Sequence, residues 1–192
     1  MITIKDLTVK NFMSVGNVTQ AVRFTNDGLT LVLGNNVDLG GDGSRNGTGK
    51  TTIINALSYV IYGNALTNIR KDNLINKTNG KSMMVTLDFV KDSIQYRIER
   101  GRKPNVLKYY VNNENVEEDE AQGENRQTQS QIEKLFGMSH DMFKHIVALN
   151  TYTEPFLSMR ANDQRAIIEQ LLGITMLSEK AEVLKEQQRL TR

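Results

Sequence analysis

Cysteine is absent from the 192 residues of this chain. That excludes disulfides, removes the usual thiolate ligands of a zinc site, and suits a reducing, cytosolic setting. No apolar run approaches the ~20 residues that span a bilayer. The opening, Met1-Ile2-Thr3-Ile4-Lys5, lacks the basic and apolar regions of a secretory signal. The expectation is a soluble, intracellular chain with no membrane partner. A strong field of one sign is missing as well. The net charge is +2, so overall charge does not call for a nucleic-acid partner, although a local basic patch remains open. Apolar residues are not scarce: at 39% of the chain they suffice for the core of one domain.

What is present is concentrated in Asn46-Gly47-Thr48-Gly49-Lys50-Thr51-Thr52. An apolar stretch, Leu29 to Leu33, precedes it, and a helical pattern from Thr51 to Tyr62 follows. Strand, glycine loop, Gly-Lys-Thr and helix together are the context of a phosphate-binding loop. Gly47 and Gly49 permit a tight turn with N–H groups aimed inward at phosphate oxygens. The helix points the positive end of its dipole at the same anion. Lys50 is placed to reach the β- and γ-phosphates of ATP, and the Thr51 hydroxyl to ligate Mg²⁺. The strict spacing requires glycine where Ser44 stands. Either Gly34 is the first glycine and the loop carries an insertion, or Gly43 serves in a shifted register.

Elsewhere the periodicity is clear. Ile2, Ile4, Leu7 and Val9 mark an opening strand, Val18 to Phe24 its hairpin partner, and Leu29 to Leu33 the strand feeding the loop. Met83 to Val90 alternates, Lys91-Asp92-Ser93 turns, and Ile94, Tyr96 and Ile98 alternate back, which predicts a hairpin. Val106 to Val111 is the next strand, and the acidic run from Asn112 to Asn125 reads as a solvated loop. Thr128 and Gln131 fit a capping box before Ile132. Ser139 is placed to cap a short helix, and Asn162 or Asp163 another carrying Ile167, Ile168 and Leu171. From Ser178 the chain is charged and helical. Leu177, Ala181, Leu184 and Gln188 have coiled-coil spacing, as do Met176, Val183 and Leu190, but an ordinary amphipathic helix fits equally. A chain that stops inside a helix without a cap is expected to be a piece of something longer.

One part of an ATPase is not found: an apolar strand ending in Asp, often followed by Glu, to organise Mg²⁺ and the attacking water. The nearest candidate, Asp88, falls on an alternating strand that reads as half-exposed. His140 and His145 have no carboxylate or cysteine partners at ligand spacing and read as surface or packing residues. Arg97, Arg100, Arg102, Lys103 and Lys108 form a basic cluster that is either a DNA-phosphate contact or a solvated face.

Four features in order, Lys10-Asn11-Phe12-Met13-Ser14, the Asn-Gly-Thr-Gly-Lys-Thr loop, the hairpin Val85 to Arg102 and the segment from Phe156-Leu157, resemble the N-terminal lobe of the SMC-like, ABC-type ATPases. The nearest group is the ATPase subunit of the double-strand-break repair nuclease complex, the SbcC type, phage members included. The resemblance spans essentially the whole chain. It implies an α/β fold: an ABC-type P-loop NTPase N-terminal lobe with an antiparallel β subdomain, over residues 1–174, and a C-terminal helix starting a coiled coil, over 175–192. It implies a C-terminal lobe that carries the signature motif and the acidic strand. It also implies a second ATPase head forming a homodimer around two ATP molecules, a metallophosphoesterase-type nuclease partner and double-stranded DNA. The implied location is the cytoplasm, the host's if a phage encodes the chain.

By resemblance, Asn46 to Thr52 would wrap the phosphates, with Lys50 at the reacting end. Ser14 would lie near the nucleotide, and Asn76 and Lys77 near the base or ribose. The family has a glutamine seven residues before the position of Leu157, in contact with Mg²⁺ and the attacking water. Asn150 stands there, with the same amide on a stem one methylene shorter, so the link is looser or water-bridged, unless Asn150 is only a turn residue beside Thr151. The family often has a basic residue where Met13 stands. Three functions follow: a DNA-repair ATPase whose ATP-driven closure controls a nuclease's access to DNA ends, a structural DNA clamp without a nuclease, or a metabolite kinase. The kinase requires a lid and a self-contained acidic motif, and neither is found.

Overall fold

The computed structural model describes residues 1–24, 28–36, 47–116, 124–149, 154–174, 180–181, 184–185 and 187–189. The chain divides into two compact units, Met1–Gly137 and Met138–Arg192. Among the described residues no helix is long and apolar enough to cross a membrane.

The first unit is built on strands β1 (Ile2–Lys10), β2 (Gln20–Arg23), β3 (Met83–Lys91), β4 (Ile94–Arg102), β5 (Val106–Val111) and β6 (Glu114–Asn115). They form one six-stranded sheet in the order β2-β1-β3-β4-β5-β6. Every pairing in it is antiparallel. The period-2 pattern fixes the register, because a slip of one residue would turn every apolar side chain to the wrong face. Leu7, Leu87, Ile98 and Tyr109 stand opposite one another in one row, and all four are buried. Phe89 stacks on Tyr96 with ring centroids 5.2 Å apart. The β3–β4 connection is the two-residue loop Asp92-Ser93, with φ of 50° and 67°. Asn112-Asn113, between β5 and β6, has φ of 49° and 68°. Positive φ at both central positions matches the loop twist to the strand twist.

Helix α1 (Lys50–Tyr62) and helix α2 (Glu124–Phe136) cover the apolar face. Nine residues of α1 are buried, among them Ala56, Val60 and Ile61. The helix ends at Gly63, whose φ of 71° leads the chain out of the helical turn. Phe136 of α2 meets Phe89 at 5.0 Å between centroids, and the Lys91 amine donates to Leu135 O at 2.8 Å.

Three sequence expectations are corrected in this chain. Leu29 to Leu33 form no strand: the segment pairs with nothing described, and Leu29 and Leu31 are 103% and 78% exposed. A strand needs a neighbour for its main chain and a face to bury, and no described residue offers either. Thr128 is no cap. α2 begins at Glu124, so Thr128 lies in its second turn, buried. Asn162 and Asp163 are no caps either, since α4 (Ala161–Leu171) starts before them with Arg160 at the cap position. The turn ahead of α4 is held instead by Gln164, which donates to Phe156 O and Met159 O at 2.9 and 3.1 Å.

The second unit contains α3 (His140–Met142), which continues into a π turn over Phe143–Val147, and α4. Ser139 caps α3 by accepting the Met142 N–H at 3.2 Å, and its hydroxyl also meets Gln170 Oε1 of α4 at 2.6 Å. Met142, Phe143 and Ile167 are buried, whereas Leu149, Leu157 and Leu172 are exposed. Gly173, at φ 66°, follows the end of α4. Residues 180–181, 184–185 and 187–189 are helical and exposed. Met176, Leu177, Val183 and Leu190 of the coiled-coil spacing, and Glu117 to Glu120 of the acidic run, lie outside the described residues.

Candidate functional site

The site grows from the N-terminus of α1. Gly47 and Gly49 have φ of 77° and 82°. Gly49 is the N-cap, no side chain caps the helix, and no acidic residue occupies its first turn. Among the described residues, the first turn of α1 therefore holds no carboxylate against the positive end of the helix dipole. Lys50 opens the helix and turns its amine back to Thr48 Oγ1 at 3.3 Å. Thr51 is exposed and Thr52 is buried. Ser14, on the loop between β1 and β2, has its hydroxyl 3.0 Å from Thr52 Oγ1. A Cβ added at Gly49 would stand 3.0 Å from the same Ser14 oxygen.

Gly34 packs against Thr48. A Cβ at position 34 would overlap the hydroxyl and Cβ of Thr48. The segment before the insertion thus touches the loop core directly, the arrangement expected if Gly34 is the first glycine. Gly43, the other candidate, lies outside the described residues. Gly34→Ala is expected to cost about 1–3 kcal/mol of stability by overpacking. At Gly16 the nearest atom to an added Cβ is 3.9 Å away, so Gly16→Ala should stay within about 0.5 kcal/mol of the parent in urea unfolding.

Asn76 and Lys77 diverge. Lys77 is exposed. The Asn76 side chain is committed to main chain: its Nδ2 donates to Met13 O at 3.0 Å, and its Oδ1 accepts the N–H groups of Thr78 and Asn79, each at 3.1 Å. Asn46 and Asn150 lie outside the described residues. Asp88 lies between the buried Leu87 and Phe89, so it points to the other face of the sheet, where Arg97 holds it at 2.7 Å. Among the described residues no three of His, Cys, Asp and Glu are grouped to hold a metal ion. Glycines with no room for a side chain, beside an uncapped helix terminus, suit a polyphosphate.

The basic cluster does not form one surface. Arg100 shares the inward parity of Tyr96 and Ile98 and reaches the C-terminal end of α1. Its Nε donates to Val60 O at 3.0 Å and its NH2 to Ile61 O at 3.4 Å and to Gln129 of α2. Burial pulls its pKa down to about 10. Arg97 pairs with Asp88, and Arg102 with Asp72 at 2.7 Å. Burial, with Arg100 and Arg102 nearby, holds the Lys71 amine below its ordinary range. The strand alternation Tyr96, Ile98, Arg100 carries the signal for the inward arginine. No local signal links Asn11 to Asn76, although Asn76 N–H donates to Asn11 O at 2.8 Å.

A model of the AAA domain family matches residues 6–191. The chain is 35% identical over 172 residues to exonuclease subunit 2 of Enterobacteria phage T4, covering 88% of this chain and 28% of that protein. It is 32% identical over 182 residues to exonuclease subunit 2 of Escherichia phage RB69, covering 94% and 30%. It is 24% identical over 189 residues to the DNA double-strand break repair Rad50 ATPase of Methanococcus maripaludis, covering 95% and 17%. The chain spans less than a third of the length of each of these relatives.

Proposed function

The chain belongs to the AAA domain family, and on that premise we propose that it is the Mg-ATP-binding lobe of a DNA double-strand-break repair and recombination ATPase. The observation that carries the reading is the start of α1: two left-handed glycines, no capping side chain, no acidic first turn, and Lys50 turned toward the loop. The names of the relatives, exonuclease subunit and double-strand break repair ATPase, supply the biological setting.

In this reading the backbone N–H groups from Asn46 to Thr52 hold the α- and β-phosphates, and Lys50 sets its charge against the β- and γ-oxygens. Thr51 would hold Mg²⁺, with Asn150 as a further contact. The ion, when bound, neutralises charge that develops on the phosphates. Ser14 lines the entrance above Gly49. Asn76 acts on the site through main chain rather than by touching the base, and Lys77 remains available to the nucleotide.

The chain's own residues bind and orient, but no described residue is placed to activate the attacking water. Asp88 faces away from the loop and is neutralised by Arg97. The missing function is assigned to a C-terminal lobe. The exposed leucines from Leu29 to Leu33 suit strand pairing with that lobe, because their burial would satisfy both main chain and side chains. A second head would complete two ATP sites, a metallophosphoesterase-type nuclease would act on the DNA end, and double-stranded DNA would bind the closed heads. Residues 175–192 would begin the coiled coil.

The test is ATP turnover by residues 1–192 alone and with the matching C-terminal lobe, with and without linear duplex DNA. Turnover is expected only with the lobe, and to rise with DNA ends. Vigorous turnover by residues 1–192 alone would overturn the division of labour.

A further inference from the structure

The loop that carries Ser14 to the phosphate loop holds an unusual conformation. Asn11 and Met13 have φ of 51° and 49°. Asparagine visits the left-handed region readily, but a long unbranched side chain such as methionine does so only at a cost. Two left-handed residues in three make a sharp corner that must be held by its surroundings.

The holding contacts converge on Asn11 and Asn76. Asn11 is 1% exposed. Its N–H donates to Gly16 O at 2.9 Å, closing the loop on itself. Its Nδ2 donates to Lys81 O and Ser82 O at 3.0 and 3.2 Å, and its Oδ1 accepts from Asn79 Nδ2 at 2.8 Å. Asn76 brackets the corner from the other side: its N–H reaches Asn11 O at 2.8 Å and its Nδ2 reaches Met13 O at 3.0 Å. Met13 N–H donates to Leu74 O at 2.7 Å, and Phe12 bridges Ile75. The Phe12 ring, fully buried, packs against Tyr59 of α1 with centroids 5.5 Å apart. The corner is therefore tied both to the 71–82 segment and to the helix that begins at the phosphate loop. At its tip the exposed Ser14 sets its hydroxyl 3.0 Å from Thr52 Oγ1.

We propose that Asn76, with Asn11, is a positioning residue for the nucleotide site, acting through the left-handed corner at Met13 to fix the Ser14 hydroxyl over Gly49 and Thr52. The inference rests on the nucleotide-site reading above. Asn76 touches no phosphate: it determines where Ser14 stands when the phosphates arrive. A corner released from Met13 O relaxes toward ordinary φ, which swings Ser14 away from α1. A fixed hydroxyl is already oriented when the anion arrives, whereas a mobile one must be ordered at a cost to affinity.

The experiment is a double-mutant cycle on mant-ATP affinity, measured in the full protein with Mg²⁺. Asn76→Asp keeps the oxygen that accepts from Thr78 and Asn79 but turns the donation to Met13 O into an oxygen–oxygen repulsion and adds a negative charge, so the uncharged Asn76→Ser is measured beside it to separate the lost donation from the charge. Ser14→Ala removes the positioned hydroxyl. Each single change is expected to weaken binding about 3- to 10-fold, the worth of one hydrogen bond. The double variant is expected to lose no more than either alone, because Asn76 acts through Ser14. Losses that multiply, or an Asn76→Asp affinity equal to the parent's, overturn the proposal. If Asn76→Asp lowers the melting temperature enough to confound binding, Asn76→Ser, which retains an acceptor for Thr78 N–H, takes its place under the same criterion. Lys50→Ala separates the two readings. If it leaves mant-ATP binding intact, the nucleotide site itself is wrongly placed. If it weakens binding about 100-fold while Asn76→Asp is silent, only the positioning inference falls.

Discussion

Lys50→Ala is expected to weaken Mg-ATP binding roughly 100-fold while leaving the unfolding midpoint close to that of the parent. The size follows from the bond lost: a charge-assisted contact to phosphate is worth about 1.5–3 kcal/mol, and each 1.4 kcal/mol is tenfold in affinity. The sparing of stability follows from position. Lys50 is the first residue of α1, half-buried and outside the apolar core. Its amine meets the Thr48 hydroxyl at 3.3 Å, a contact across a short loop that contributes little to the folded state. Lys50→Arg should recover only part of the affinity, because a planar guanidinium does not replace a compact ammonium at the end of a glycine loop. Isothermal titration with a non-hydrolysable ATP analogue, paired with thermal unfolding, reads both quantities. A loss of affinity below threefold would move the nucleotide away from α1.

The parts legible in the sequence are those whose stabilising partners are close in the chain. The β3–β4 hairpin is an alternating run, a two-residue turn and a second alternating run, so its register is set locally. α1 is framed by Gly49 and Gly63. The Leu29 to Leu33 stretch has strand composition without a strand, since composition does not say what it pairs with. The corner at Asn11 and Met13 was invisible for the complementary reason. Its partner Asn76 belongs to a segment with no periodicity, and the left-handed φ of Met13 is imposed by tertiary hydrogen bonds that override its own preference. Ser139 caps α3 as its sequence suggests, but Thr128, Asn162 and Asp163 do not cap, because capping residues mark where a helix is able to start, whereas tertiary ties select where it does start. Gln164 holds the turn before α4, and the residues before Thr128 are already helical.

Arg100→Ala is expected to destabilise the first unit by about 2–4 kcal/mol, a far larger effect than any other member of the basic cluster should show. The guanidinium serves the last turn of α1, where helix carbonyls have no partner within the helix. It donates to Val60 O and Ile61 O, places a cation at the negative end of the dipole, and meets Gln129 of α2. It also lies over the Tyr59 ring, with its central carbon 6.0 Å from the centroid. Removing it strands Val60 O, leaves Ile61 O with only the Gln129 amide at 3.2 Å, and cuts the tie of α1 to β4. Arg97→Ala removes an ion pair that is largely exposed on the opposite face, and its cost should stay within about 0.5 kcal/mol. Arg100→Lys should restore less than half of the loss, since one ammonium cannot reproduce the guanidinium fork. Urea unfolding of the three variants ranks them, and duplex-DNA affinity separates the meanings of Arg100. A structural clamp predicts that Arg100→Ala shifts the unfolding midpoint while DNA affinity, measured well below that midpoint, changes little. A phosphate contact predicts the reverse, an unchanged midpoint with weaker binding and a shallower salt dependence. The inward parity of Arg100 and its two carbonyl partners on α1 favour the clamp, which makes the far end of the nucleotide-binding helix depend on a strand of the sheet.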